Sequence, residues 1–152
     1  MEAFNADSTT IRPLTKRTAQ GELYVRRADA ELQIEKVLTL ETARVSEMLG
    51  AVSQRGEADY LLDETLVYLL REARQVNADD LLNKLYAELN MRIWKKIAKF
   101  RASFNDRTDF EDFGQKIEMA ILRKILDIDS DAGDFAQAQF GSFVLSEAKS
   151  VW

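Results

Sequence analysis

The sequence predicts an all-α fold: a single helical domain of five or six helices behind a flexible N-terminal arm. Three observations point to it. From Leu81 to Phe104, apolar residues recur mostly every fourth position, at Leu81, Leu82, Leu85, Leu89, Ile93, Ile97, Phe100 and Phe104. From Phe110 to Ile125, the series Phe110, Phe113, Ile117, Ile121 and Ile125 steps by three and four, widened by Leu122 and Leu126. Such spacing stacks side chains on one face of a helix. Finally, one Pro and 6 Gly in 152 residues leave long stretches without a helix breaker. A chain of this length holds one real core and is too short for two comfortable domains.

The elements follow in order. Residues 1–27 read as the arm: Met1 to Gln20 is rich in Ser, Thr, Asn and Arg and carries the only proline, Pro13. Gly21 to Arg27 is too brief an alternation to separate a short strand from more arm. The helical domain spans 28–152. Asp29 is placed to cap a helix bearing Leu32, Ile34, Val37 and Leu38, which either continues to Gly50 or divides near Thr39 and Thr42. Ser53 to Asp59 is a polar linker. Asp63 starts a helix with Leu66, Val67, Leu69, Leu70 and Ala73 as its apolar stripe. Asn77 to Asp80 is a turn and cap, and the longest helix runs from about Asp79 to Phe104. Thr108 and Glu111 form a capping box for the next helix. Asp127 to Asp134 form an acidic elbow, and a last helix runs from about Asp134 to the C-terminus.

Composition narrows the function classes. Hydrophobic residues make up 46% and charged residues 31%, the balance of a soluble globular chain. No run of about 18 apolar residues is present, and the N-terminus lacks the pattern of a signal peptide, so a membrane partner is not expected. Zero Cys excludes disulfides and thiolate chemistry and fits a cytoplasmic location. Zero His removes the commonest acid–base catalyst and transition-metal ligand. The net charge of −5 is concentrated in the last third, where ten acidic residues face five basic ones from Asn105 to Trp152. A basic protein surface complements it better than a phosphate backbone does.

Three constellations bear on chemistry. Asp127, Asp129 and Asp131 resemble the start of a calcium loop, but Ala132 and Ala138 stand where that loop needs Gly and a bidentate carboxylate. An acidic turn that ends one helix and caps the next accounts for them, with no metal or cofactor. Arg92, Lys95, Lys96 and Lys99 share a helix face, with Arg101, Trp94 and Phe100 beside them. This stripe suits nucleic-acid phosphates or an acidic protein surface, or else it is the ordinary solvated side of a long helix. Asp109, Glu111 and Asp112 complement a helix macrodipole. With no His, Cys, serine elbow or phosphate loop, there is no catalytic set, and the chain is not expected to be an enzyme.

The stretch Asp109 to Phe135 resembles the second conserved region of bacterial RNA polymerase sigma factors. That family shows the pattern D-x-x-Q, a Leu-rich helix, a short Asp-rich turn with Gly, and an aromatic helix. Asp112, Gln115, Leu122, Asp127, Gly133, Phe135 and Phe143 supply these in order, and the likeness covers roughly 81–152. It implies a transcription initiation module. In sigma factors the polar face beginning at D-x-x-Q docks on the clamp coiled coil of core RNA polymerase. The matching residues are Asp112, Gln115, Lys116, Glu118, Met119 and Arg123, with Lys116 standing where the family commonly has Glu. The resemblance also implies that the following aromatics hold single-stranded promoter DNA, here Phe135, Phe140, Phe143 and Trp152, with core packing as the other use of those rings. Arg92, Lys95, Lys96 and Lys99 are the candidate phosphate contacts. The family's main promoter-reading segment would lie at or past Trp152. The expectation is therefore either a fragment or a sigma-like module lacking part of the DNA-reading apparatus. The alternative is a helical protein–protein adaptor with no nucleic-acid role.

Overall fold

The computed structural model describes residues 11–50, 57, 59–127 and 131–152, apart from the side chains of 131 and 132. Among them are seven α-helices and no strand, so the chain is all-α. They are α1 (Ala28–Leu38), α2 (Thr42–Gly50), α3 (Asp63–Gln75), α4 (Asp79–Ile97), α5 (Arg107–Leu126), α6 (Asp131–Ala138) and α7 (Phe140–Val151), with a 3₁₀ segment at Ala98–Ser103.

The centre of the fold is α3. Every residue of α3 from Asp63 to Ala73 is buried, and α4, α6, α1 and α5 pack around it. Leu66, Val67, Leu69 and Leu70 fill the space between these neighbours. The charged residues of the Asp63 to Ala73 stretch are buried too, and each has an opposite charge from another element. Asp63 pairs with Arg92 at 3.0 Å and Lys96 at 2.9 Å. Glu64 lies 3.6 Å from Arg27, Glu72 2.5 Å from Arg12, and Arg71 3.8 Å from Asp134. A buried charge is tolerated only when paired and hydrogen-bonded. Burial, and next the adjacent Asp63 charge, raise the Glu64 carboxyl above its ordinary range.

The predicted arm has defined contacts from Ile11 onward, where the chain lies along α3 and α6. The backbone N–H groups of Thr15 and Lys16 both donate to the Asp134 carboxylate at 2.8 Å. Arg26 is buried over the Tyr68 ring and donates to Gln137 and to the Arg12 carbonyl. A turn at Thr18–Gly21, in which Gly21 takes φ 84°, returns the chain so that Arg17 and Leu23 form a single antiparallel bridge. Residues 1–10 lie outside the described residues.

Several boundaries differ from the sequence reading. The first helical segment, which the sequence left as one helix or two, is divided, with Thr39 ending α1. Asp29 lies inside α1 rather than capping it, since Arg27 holds the cap position. Helix α4 ends at Ile97, where the backbone tightens into the 3₁₀ segment, so Phe100 and Phe104 leave the α4 stripe. The rings instead meet Phe113, at 5.8 and 5.1 Å between centroids. The cap of α5 is Asp106, whose carboxylate accepts from the Thr108 N–H at 2.8 Å; Thr108 is already helical, and Glu111 pairs with Arg107. The last helix is divided at Gln139, whose non-helical backbone separates α6 from α7. Asp134 therefore sits within α6, buried against the N-terminal segment. No helix among the described residues is long and apolar enough to cross a membrane.

Candidate protein-docking face

Helix α5 has two unlike sides. Phe113, Ile117, Ile121 and Ile125 are buried against α3, α6 and α7. At 100° per residue, Asp112, Gln115, Lys116, Met119 and Arg123 fall within an arc of about 100° on the opposite side. All five are exposed, and Met119 leaves 71% of its surface to solvent. The side chain of none of the five makes a hydrogen bond or an ion pair with another described residue. The face thus offers one apolar side chain, one amide and charges of both signs, all uncommitted, on a backbone fixed from behind.

Glu118 departs from this grouping. Its carboxylate turns toward α4, where it accepts from the Tyr86 hydroxyl at 2.5 Å and from Trp94 Nε1 at 3.3 Å. It tethers α5 to α4 at the flank of the face. Burial first, and then the hydrogen bond from Tyr86 to Glu118, push the Tyr86 phenol up to about 12. The folded chain therefore keeps a proton that the unfolded chain, with its phenol near 10, has lost. Stability contributed by this contact is present below pH 10 and is lost as the pH rises through about 12. Phenolate absorbance, taken as the difference from Tyr86→Phe, is expected to show this high titration. Glu118→Gln is expected to bring it back toward the ordinary value; an unchanged midpoint would mean the hydrogen bond plays no part.

The sequence reading missed Gly114 and Trp94 as a pair. The indole ring lies directly on Gly114, where a Cβ would come within 2.1 Å of Trp94 Cη2. A glycine inside an otherwise clean helical pattern was the available signal of this close approach. The contact sets the distance between α4 and α5, and with it the position of the outer face.

The residues expected to meet nucleic acid do not assemble. Phe140 and Phe143 are each only 1% exposed and belong to the core, so neither ring is available to an unpaired base. They pack against each other and, through Phe143, on Phe135, whose second partner is Tyr24. Arg92 also leaves the predicted stripe. It is buried, donates to Asp63, Glu88 and the Leu61 carbonyl, and lies 4.3 Å over the Tyr60 ring. Lys96 is half-buried on Asp63. Lys95, Lys99 and Trp152 remain exposed. In the acidic elbow, residues 128–130 lie outside the described residues. Elsewhere among the described residues no acidic cluster is arranged to hold a metal ion.

No family model, no curated protein and no solved structure matches this chain.

Proposed function

We propose that this chain is a non-enzymatic helical module that binds another protein through the outer face of α5, and that the partner is the clamp coiled coil of core RNA polymerase. The observation that carries the docking face is the set Asp112, Gln115, Lys116, Met119 and Arg123, exposed and uncommitted around a protruding methionine. A mixed face of this kind gives specificity through its polar groups and area through its apolar centre. The D-x-x-Q pattern at Asp112 and Gln115 supplies the partner class. Glu118 acts in this reading by holding the face in place rather than by touching the partner.

One observation favours a narrower second reading, an adaptor without a nucleic-acid role. Phe140, Phe143 and Arg92 are all buried, and of the candidate nucleic-acid contacts among the described residues Lys95, Lys99 and Trp152 stay exposed.

The double variant Gln115→Ala/Arg123→Glu is expected to keep its melting temperature, since both side chains are exposed. Its affinity for immobilised core polymerase is expected to fall at least about tenfold, or 1.4 kcal/mol. Lys95→Ala, on a different helix, is expected to matter less. If the unaltered chain does not bind core polymerase, that partner is excluded and the adaptor reading replaces it. If the double variant binds as well as the unaltered chain, the contact lies elsewhere.

A further inference from the structure

We propose a second docking site, independent of the α5 face: the groove between α7 and the junction of α4 with the 3₁₀ segment takes an acidic helical segment of a partner protein, anchored by one bulky apolar side chain. The groove encloses about 320 Å³. Ile97, Phe100, Val144 and Leu145 give it an apolar lining, and Lys96 and Lys99 are its charged members. No carboxylate lines it, although the chain as a whole carries a net charge of −5. The reversal of sign is local. Between Met91 and Asn105 there are five basic residues and no acidic one. Arg92 and Lys96 among them are both paired with Asp63, while Lys95, Lys99 and Arg101 face solvent.

The arrangement selects among polyanions. Lys96, near the end of α4, is half-buried on Asp63, whereas Lys99 stands exposed in the 3₁₀ segment and supplies the free positive charge at the groove, which takes an apolar helix face as helix grooves do. The Lys99 ammonium lies 5.5 Å over the Phe100 ring, at the edge of the apolar lining. Phe100 in turn meets Trp152, whose ring is 64% exposed, at 5.9 Å. An apolar peptide side chain flanked by a carboxylate fills the groove and meets Lys99 at once. A phosphate backbone satisfies Lys99 but has nothing apolar to place between the helices. At Gly141 the lining has no side chain, and a Cβ built there meets no atom within 4 Å. The groove is open at that point and can be closed by substitution.

The test uses the full chain and three labelled probes in fluorescence anisotropy. They are a short synthetic helix bearing one leucine flanked by glutamates on the same face, a peptide of the same composition in scrambled order, and single-stranded oligothymidylate. The helical peptide is expected to bind, and more weakly as salt is raised. Gly141→Leu fills the groove and favours helix at that position, so the fold is expected to be retained by circular dichroism. This variant, and separately Lys99→Glu, are expected to weaken binding at least about tenfold. Four outcomes would each overturn the proposal: no binding of the helical peptide, equal binding of the scrambled one, unchanged affinity in both variants, or oligothymidylate bound more tightly through the same residues. Gln115 and Arg123 lie outside the groove, so failure here leaves the α5 docking reading standing, and failure of that reading leaves this one.

Discussion

Arg92→Met is expected to cost about 3–5 kcal/mol of folding stability, the range for breaking a buried ion pair from one side. The guanidinium is 8% exposed and is shared among the Asp63 and Glu88 carboxylates and the Leu61 carbonyl. Methionine of similar length fills the space but leaves Asp63, itself 7% exposed, with Lys96 as its remaining cation. The loss of the Leu61 carbonyl's donor and of the cation over Tyr60 add to the cost. Asp63→Leu added to Arg92→Met removes both charges, so the double variant should be less unstable than the two single losses summed. Urea denaturation with an unchanged m-value measures each term. A loss below about 0.5 kcal/mol, typical of surface positions, would place Arg92 in solvent and return it to the set of possible phosphate contacts.

The second large effect is at Ile121. Its side chain is fully buried on the inner face of α5, and Ile121→Ala is expected to cost roughly 2–5 kcal/mol through lost transfer energy and the cavity left behind. Met119, two residues earlier on the same helix, is 71% exposed, and Met119→Ala is expected to stay within about 0.5 kcal/mol. The contrast assigns the two sides of α5 by measurement: one holds the fold, and the other is free for a partner. Comparable losses at both positions would mean that the outer face is packed, and the docking surface would have to be sought elsewhere. Thermal or urea unfolding of the two variants decides it. The affinity measurement on Gln115 and Arg123 then has a fold whose integrity is known.

What the sequence alone determined is the helical class and the two sides of α5. Both depend on local periodicity. Ile117, Ile121 and Ile125 follow one another at a helical step, and that step places Gln115, Lys116 and Met119 on the other side whatever packs behind them. Polar and apolar alternation cannot report on contacts between residues far apart in the chain, and those decided the rest. Helix α3 looks like an ordinary amphipathic segment because Asp63, Glu64, Arg71 and Glu72 are charged; it is central because Arg92, Lys96, Arg27, Asp134 and Arg12 come from four other parts of the chain to neutralise it. The same pairing takes Arg92 out of its stripe, although its spacing with Lys95, Lys96 and Lys99 is regular. Phe140 and Phe143 have the composition of a base-stacking helix, and only the packing of α7 against α4, α5 and α6 shows that their rings are spent on the core. The N-terminal segment reads as polar arm because its attachments are backbone N–H groups on a buried carboxylate and arginines on buried partners, none of which leaves a hydrophobic pattern.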